Sequence, residues 1–256
     1  QQQAGHLPYP GDGDQNNLAD QYFGRGNSPV TCGITMTGNT YSSNGTDSRN
    51  VGSVGGAGFV VNTNTGKAFC SIQAAIDDAA TLAGHTIQVS AGTFNESIVL
   101  NKSVKILGEG PTNTILTPTT ACSGIGVSIS AADAELKNLK VTNYLTGISV
   151  SSSDNVIENV ESVSNCNQGL ELSSGIQNLS VLSSKLNNNT SVGVRKGTAA
   201  IVNGFTMTNC EVKGNNQGFF IAKNNGAGGT FENVNITNSD LSNNLQKGMY
   251  FEALSK

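Results

Sequence analysis

Six four-residue segments opening on glycine carry the residues most able to do chemistry: Gly126-Val-Ser-Ile129, Gly147-Ile-Ser-Val150, Gly169-Leu-Glu-Leu172, Gly193-Val-Arg-Lys196, Gly218-Phe-Phe-Ile221 and Gly248-Met-Tyr-Phe251. In a short strand successive side chains alternate between faces, so the third residue of each segment points outward. The result is one exposed row: Ser128, Ser149, Glu171, Arg195, Phe220 and Tyr250. Glu171 and Arg195 can pair across neighbouring strands, and Phe220 can stack on Tyr250. Aromatic faces bind the apolar side of a pyranose while nearby polar groups bond its hydroxyls, so these four residues read as a sugar-binding platform. A second chemistry uses the same surface. Arg195, Lys196 or Lys223 would serve a polysaccharide lyase as base or charge-neutraliser, with Glu171 or Glu252 nearby. A third reading is structural, each cross-strand pair contributing ~0.2 to 1 kcal/mol. The sequence leaves all three open.

Other chemistry is thinner. Asp12, Asp14, Asn16 and Asp20 place oxygen ligands as calcium loops do, but Asn17 stands where such a loop needs glycine and Phe23 where it needs glutamate. Calcium is therefore the one cofactor with any support, and none is required. His6 and His85 have no neighbouring ligand at zinc spacing. The stretch Gly52-Ser-Val-Gly-Gly-Ala-Gly58 lacks the Lys-Ser/Thr and the helix of a phosphate cradle and reads as a loop. A net charge of −4 offers no basic face for nucleic acid, and no apolar run is long enough to span a membrane.

The elements that position the row follow from its period. The six glycines are 21, 22, 24, 25 and 30 residues apart. A second short strand precedes each of the last five: Asn138-Leu-Lys-Val141, Asn159-Val-Glu-Ser-Val163, Asn178-Leu-Ser-Val181, Gly204-Phe-Thr-Met207 and Asn233-Val-Asn-Ile236. The Val160 copy has one extra residue, read as a bulge. A unit of this length with two or three strands and no helix cannot bury its apolar side chains alone and must stack on its own copies. The predicted fold is all-β: a right-handed parallel β-helix, a solenoid of roughly seven coils and ~35 Å of rod beyond Ile87. This explains a chain of 256 residues with only 36% hydrophobic and 12% charged content and 31 glycines. Asn143, Asn165, Ser183, Asn209 and Asn238 follow the second strands and are predicted to form an asparagine ladder.

Two domains are expected. Residues 1–66 form a Gly/Asn/Thr-rich leader or strap; residues 67–256 form the β-helix, with a capping helix over 71–83. Ser71 is placed to cap that helix, Ile72, Ala75, Ile76, Ala79 and Leu82 form its apolar stripe, and Gly84 ends it. No capping segment follows the last repeat strand. A longer chain, or a further domain or chain stacking on the C-terminal coil, is expected to cover it.

Five cysteines leave at least one unpaired within the chain. Cys32 with Cys70 is the preferred disulfide, which would pin the leader to the cap, and Cys122 is the competing partner. Cys166 and Cys210 are placed two coils apart on one row, too far for a bridge, and are expected to be small buried thiols.

The run SIQAAIDDAATLAGHTIQVSAGTFNESIVLNKSVKILGEG, residues 71–110, resembles the opening of pectin-lyase-like β-helix proteins, including pectinesterases and the NosD-type repeat family, and the repeats to residue 256 resemble the same superfamily. This resemblance implies the fold; the superfamily hosts lyases, hydrolases, esterases and surface proteins alike. Its catalytic sets do not transfer. The only adjacent aspartates are Asp77 and Asp78, on the cap helix, where polygalacturonases cluster aspartates on one face. Arg195 is the only arginine in the repeats, and the aromatic-rich arginine motif of pectinesterases has no counterpart in a chain without tryptophan. The Gln-Gln-Gln start resembles mature ends of bacterial secreted proteins, including cargo of the type IX pathway. The expectation is an exported bacterial surface protein or adhesin that binds a polysaccharide or surface glycan. A lyase-type enzyme is the first alternative and a structural or cargo module the second.

Overall fold

The computed structural model describes residues 59–173, 175–222 and 229–252. Strands Ile98–Leu100, Ser123–Ile129, Tyr144–Val150, Gln168–Leu172, Val192–Lys196, Gln217–Ile221 and Lys247–Phe251 stack in sequence order into a seven-stranded sheet, parallel throughout. The paired residues on either side of each glycine set Gly126, Gly147, Gly169, Gly193, Gly218 and Gly248 in one line. The repeated glycine thus marks one position in every coil.

An eleven-stranded sheet forms another wall of the rod. Its main path runs from Phe231–Thr237 back through Val202–Thr208, Ile176–Leu182, Val156–Val163 and Glu135–Thr142 to the first coils. All of its pairings are parallel except those of Val60–Asn62, which lies antiparallel to both Thr86–Val89 and Lys67–Phe69. The fold is the right-handed parallel β-helix that the repeats predict. Its β-structure begins ahead of residue 67, and the rest of the predicted leader, residues 1–58, lies outside the described residues.

Like residues stack in the interior. One row runs Ile129, Val150, Leu172, Lys196, Ile221 and Phe251; the next runs Val127, Ile148, Leu170, Val194, Phe219 and Met249. Each fully buried Val, Ile, Leu or Phe contributes about 1.5–3 kcal/mol, so thin strands suffice when every coil repeats them. Space inside is tight. A Cβ at Gly147 would stand 2.0 Å from Ser162 Oγ and 2.6 Å from Asn165 Nδ2, so this glycine is needed for close approach.

The polar interior departs from the sequence reading. The interior ladder consists of the buried Asn165, Asn189 and Asn215 and the partly exposed Asn244. The backbone N–H and Nδ2 of Asn165 both donate to Asn189 Oδ1 at 3.0 Å, and the pattern repeats from Asn189 to Asn215 and from Asn215 to Asn244. Of the predicted ladder, only Asn165 belongs here. Ser183, Asn209 and Asn238 share a different corner with Asn138 and Asn159, where all five have left-handed backbone (φ 47–58°). Asn143 occupies a third corner. The cause is a phase error of one corner. Val156 pairs with Ser180, which puts Asn178 beside Asp154, with Asn178 Nδ2 donating to Asp154 Oδ1 at 2.9 Å, rather than opposite Asn159. The predicted bulge at Val160 is also absent, since Val156–Val163 pairs continuously with Glu135–Thr142.

The same error misplaced Cys166. It is disulfide-bonded to Cys122 with Cα atoms 5.3 Å apart, which removes both the free thiol expected at 166 and the competing role expected of Cys122. The backbone N–H groups of these two cysteines donate to the consecutive carbonyls of Asn143 and Tyr144, which brings them together. Cys210 is a buried free thiol, and burial pushes its pKa up. Cys70 is disulfide-bonded, and the pairing expected with Cys32 lies outside the described residues.

The cap helix α1 (Ile72–Asp77) is shorter than the expected 71–83. Ser71 Oγ accepts from Ala74 N–H, and the Glu96 carboxylate accepts from Ile72 and Gln73 N–H, so three orphan donors of the first turn are satisfied. Asp78 leaves helical geometry and accepts from Ala80 N–H, while the Thr81 hydroxyl donates to the Ala75 carbonyl and closes the last turn. Ile72, Ala75 and Ile76 are buried on the first coil, but Leu82 is 61% exposed. The apolar stripe therefore ends with the helix. No helix among the described residues is long and apolar enough to cross a membrane.

Candidate functional site

The register of the seven-stranded sheet assembles the outward row that alternation predicts. Val99, Ser128, Ser149, Glu171, Arg195, Phe220 and Tyr250 are successive in-register partners. Arg195 Nη1 donates to Glu171 Oε1 at 3.2 Å, with both side chains partly exposed. The rings of Phe220 and Tyr250 stack with centroids 5.6 Å apart and 28° between planes. Each contact joins adjacent coils, so the row is continuous along the rod. It grades from small hydroxyls, through one ion pair, to an aromatic surface.

Two further residues, not singled out by sequence, complete this picture. Lys247 opens the last strand, and its Nζ lies 3.6 Å from the Tyr250 ring centroid, a cation-π contact that fixes the cation beside the stacked pair. The available signal was its place directly before the repeated glycine. Gln168, in the same position three coils earlier, is buried, and its Oε1 accepts no hydrogen bond among the described residues. A buried carbonyl of this kind calls for a donor, such as a hydroxyl.

The remaining expected residues are not brought together. Lys196 points into the core between Leu172 and Ile221, is 1% exposed, and among the described residues its Nζ has one hydrogen bond, to the Thr198 carbonyl at 3.5 Å. Burial pulls its pKa down. It cannot meet a ligand on the outer row, which corrects its place among the catalytic candidates: the residue stands where the repeat has an inward apolar side chain. Asp77 and Asp78 lie at the cap, the latter paired with Lys67 at 3.2 Å. Lys223 and the calcium candidates Asp12, Asp14, Asn16 and Asp20 lie outside the described residues. Among the described residues no group of three or more His, Cys, Asp or Glu side chains is arranged to hold a metal ion.

No protein-family model matches the chain. Over 57 residues, 22% of its length, it is 44% identical to a cell surface glycoprotein of Methanothermus fervidus, a match that spans 10% of that protein. Among solved structures it is similar to the pectate lyase Pel9A, with a TM-score of 0.52 and 23% identity over 66% of this chain and 47% of the lyase. It is also similar to an alginate lyase from a Paenibacillus species, with a TM-score of 0.48 and 17% identity over 66% of this chain and 72% of that one. The chain thus spans about half the length of the pectate lyase. What the likeness to the pectate lyase shows is the parallel β-helix fold.

Proposed function

We propose that this protein is a cell-surface β-helix that binds a polysaccharide or surface glycan along the row from Glu171 to Tyr250. The carrying observation is the Phe220–Tyr250 stack with Lys247 over one ring and the Arg195–Glu171 pair beside it. The stacked rings on adjacent coils form an apolar surface flanked by hydrogen-bonding groups, a combination suited to a pyranose. The partial likeness to a cell surface glycoprotein supports the location. Binding of polysaccharides to the wild type and to a Phe220→Ala/Tyr250→Ala variant, measured by isothermal titration, tests the reading: equal affinity for every ligand bound would overturn it.

The lyase-type alternative draws on the fold shared with a pectate lyase and on the presence of Arg195 on the same row. Against it, Arg195 is tied to Glu171 and Lys196 is inside the rod. Release of unsaturated oligosaccharides from acidic polysaccharides would decide for the enzyme. A structural or cargo module would show neither binding nor turnover.

A further inference from the structure

Asparagine followed two residues on by Ser or Thr, with no proline between them, is the acceptor triplet for N-linked glycans. The chain has seven such triplets, beginning at Asn44, Asn95, Asn101, Asn178, Asn188, Asn189 and Asn235. The first lies outside the described residues. The fold already uses four of the other six. Asn189 is buried in the interior ladder with its Oδ1 and Nδ2 both bonded. Asn178 and Asn188 stand at left-handed corners, where their Oδ1 atoms lie 2.7 and 2.2 Å from the places that Cβ atoms of Gly204 and Gly214 would take. A sugar on any of these three would push apart coils that now stack. Asn235 is held within the strand Phe231–Thr237, and the hydroxyl of its triplet, on Thr237, shares a hydrogen bond with Thr208.

Asn95 and Asn101 differ in every respect. Both are exposed, neither has left-handed backbone, and among the described residues no hydrogen bond engages either side chain. They stand just outside the two ends of Ile98–Leu100, the first strand of the seven-stranded sheet. In each triplet the middle residue is turned onto the cap. Glu96 accepts from Ile72 and Gln73 N–H, and Lys102 Nζ donates to the Asp78 and Thr81 carbonyls at 2.9 and 3.0 Å. Side chains alternate along an extended segment, so an anchored middle residue turns the amide and the hydroxyl of its triplet together toward the other side. The fold itself has no use for either amide.

We propose that Asn95 and Asn101 are N-glycosylated, an inference that rests on the proposed surface location, since this modification accompanies export. The co-substrate is a glycan carried on a lipid phosphate. Asparagine Nδ2 forms a bond to the anomeric carbon, the bond from that carbon to the phosphate oxygen breaks with its electron pair leaving on the lipid phosphate, and one amide proton passes to a base of the transferase. The two glycans flank Val99, where the outward row begins. Phe220 is five coils further along, about 24 Å at ~4.8 Å per coil, so the stacked rings stay clear of them.

The test takes the full chain from its own cells, separated into surface-labelled and intracellular fractions. Digestion after Lys, Arg and Glu puts Asn95 on residues 68–96, Asn101 on 97–102, Asn178 on 172–185 and the Asn188–Asn189 pair on 186–195. Mass spectra of the surface fraction are expected to show glycan on the first two peptides at about tenfold or higher occupancy than on the others. Ser97→Ala should strip the sugar from Asn95, Ser97→Thr should restore it, and neither should move the thermal midpoint. A bare Asn95 or Asn101 in protein recovered from the surface overturns that assignment and leaves the surface reading standing. Equal occupancy at Asn178, Asn188 or Asn189, or sugar that persists in Ser97→Ala, overturns the proposal as well. A chain found only inside the cell overturns both the surface reading and this inference.

Discussion

The two sheets of the rod share the same coils, but their outer faces use charge in opposite ways. On the eleven-stranded sheet Lys105, Glu135, Lys137 and Glu158 form a chain of contacts at 2.8, 2.8 and 3.0 Å, and Glu161 sits between Lys140 and Lys185 at 3.5 and 3.2 Å. On the seven-stranded sheet the corresponding outward row has a single ion pair and then gives way to stacked rings. A charge already paired with its neighbours has little left for a ligand, and each exposed pair contributes about 0–1 kcal/mol. The stacked Phe220 and Tyr250 rings put an apolar, partly exposed surface at the end of that row. The difference is that one face is joined from coil to coil by ion pairs, while the other carries the row to which binding is proposed.

The strongest way to break this contrast is to remove what lies beneath both faces. Asn189→Ala deletes the Oδ1 acceptor of two Asn165 donors and the Nδ2 donor to Asn215, all buried, and keeps only the backbone N–H bond to Asn215. Leaving such groups unpaired should cost about 2–4 kcal/mol, read from urea unfolding, and should damage both faces together. An unchanged midpoint would mean that the ladder does not hold the coils. The next test separates the faces. Phe220→Ala with Tyr250→Ala should weaken glycan binding by about tenfold or more, roughly 1.4 kcal/mol, while Lys137→Met with Glu158→Gln on the other face should leave affinity as it was. Equal losses from both variants would erase the distinction.

Lys196 probes the interior on the ligand side. Its folded-state pKa lies below that of the unfolded chain, so the unfolded state binds more protons between the two values and stability rises with pH across that window. Lys196→Met should remove this slope and raise stability by about 1 kcal/mol or more at neutral pH, because an amine with one long contact no longer has to be buried. Thermal midpoints of both proteins from pH 7 to pH 10 check it; a destabilised variant with an unchanged slope would refute it.

The outward row was legible because a glycine marks it in every coil and alternation then fixes which side chain faces out. The asparagine ladder was not, because two physically different positions select the same residue type. Corners with φ near +55° favour Asn for its tolerance of left-handed backbone, as at Asn138, Asn159 and Asn209, whereas Asn165, Asn189, Asn215 and Asn244 are chosen for their amides. Residue type alone cannot tell these apart. Spacing to the row glycine does not separate them either: Asn165 precedes Gly169 by four residues, but Asn143, at a left-handed corner, precedes Gly147 by four as well. Lys196 was misjudged for a related reason, since alternation places it inward and its charge argued against that position. The Cys122–Cys166 bond needed the correct phase of the corners.

The finest distinction between the faces lies in how each responds to acid. Glu135 is held below the usual carboxylate range by hydrogen bonds from Lys105 and Lys137, despite partial burial that opposes it. A carboxylate with a depressed folded pKa contributes stability that is fully present above its unfolded pKa, about 4.3, and is lost as pH falls through the folded value. Wild-type thermal midpoints should therefore drop more steeply below pH 4.5 than those of Glu135→Gln, which at pH 7 should differ from wild type by no more than about 1 kcal/mol. The stacked pair Phe220–Tyr250 carries no carboxylate. Glycan affinity per folded molecule should then survive the acid step that unzips the charged face, and a parallel loss of affinity and midpoint in the Glu135→Gln variant would show that the two faces are not independent.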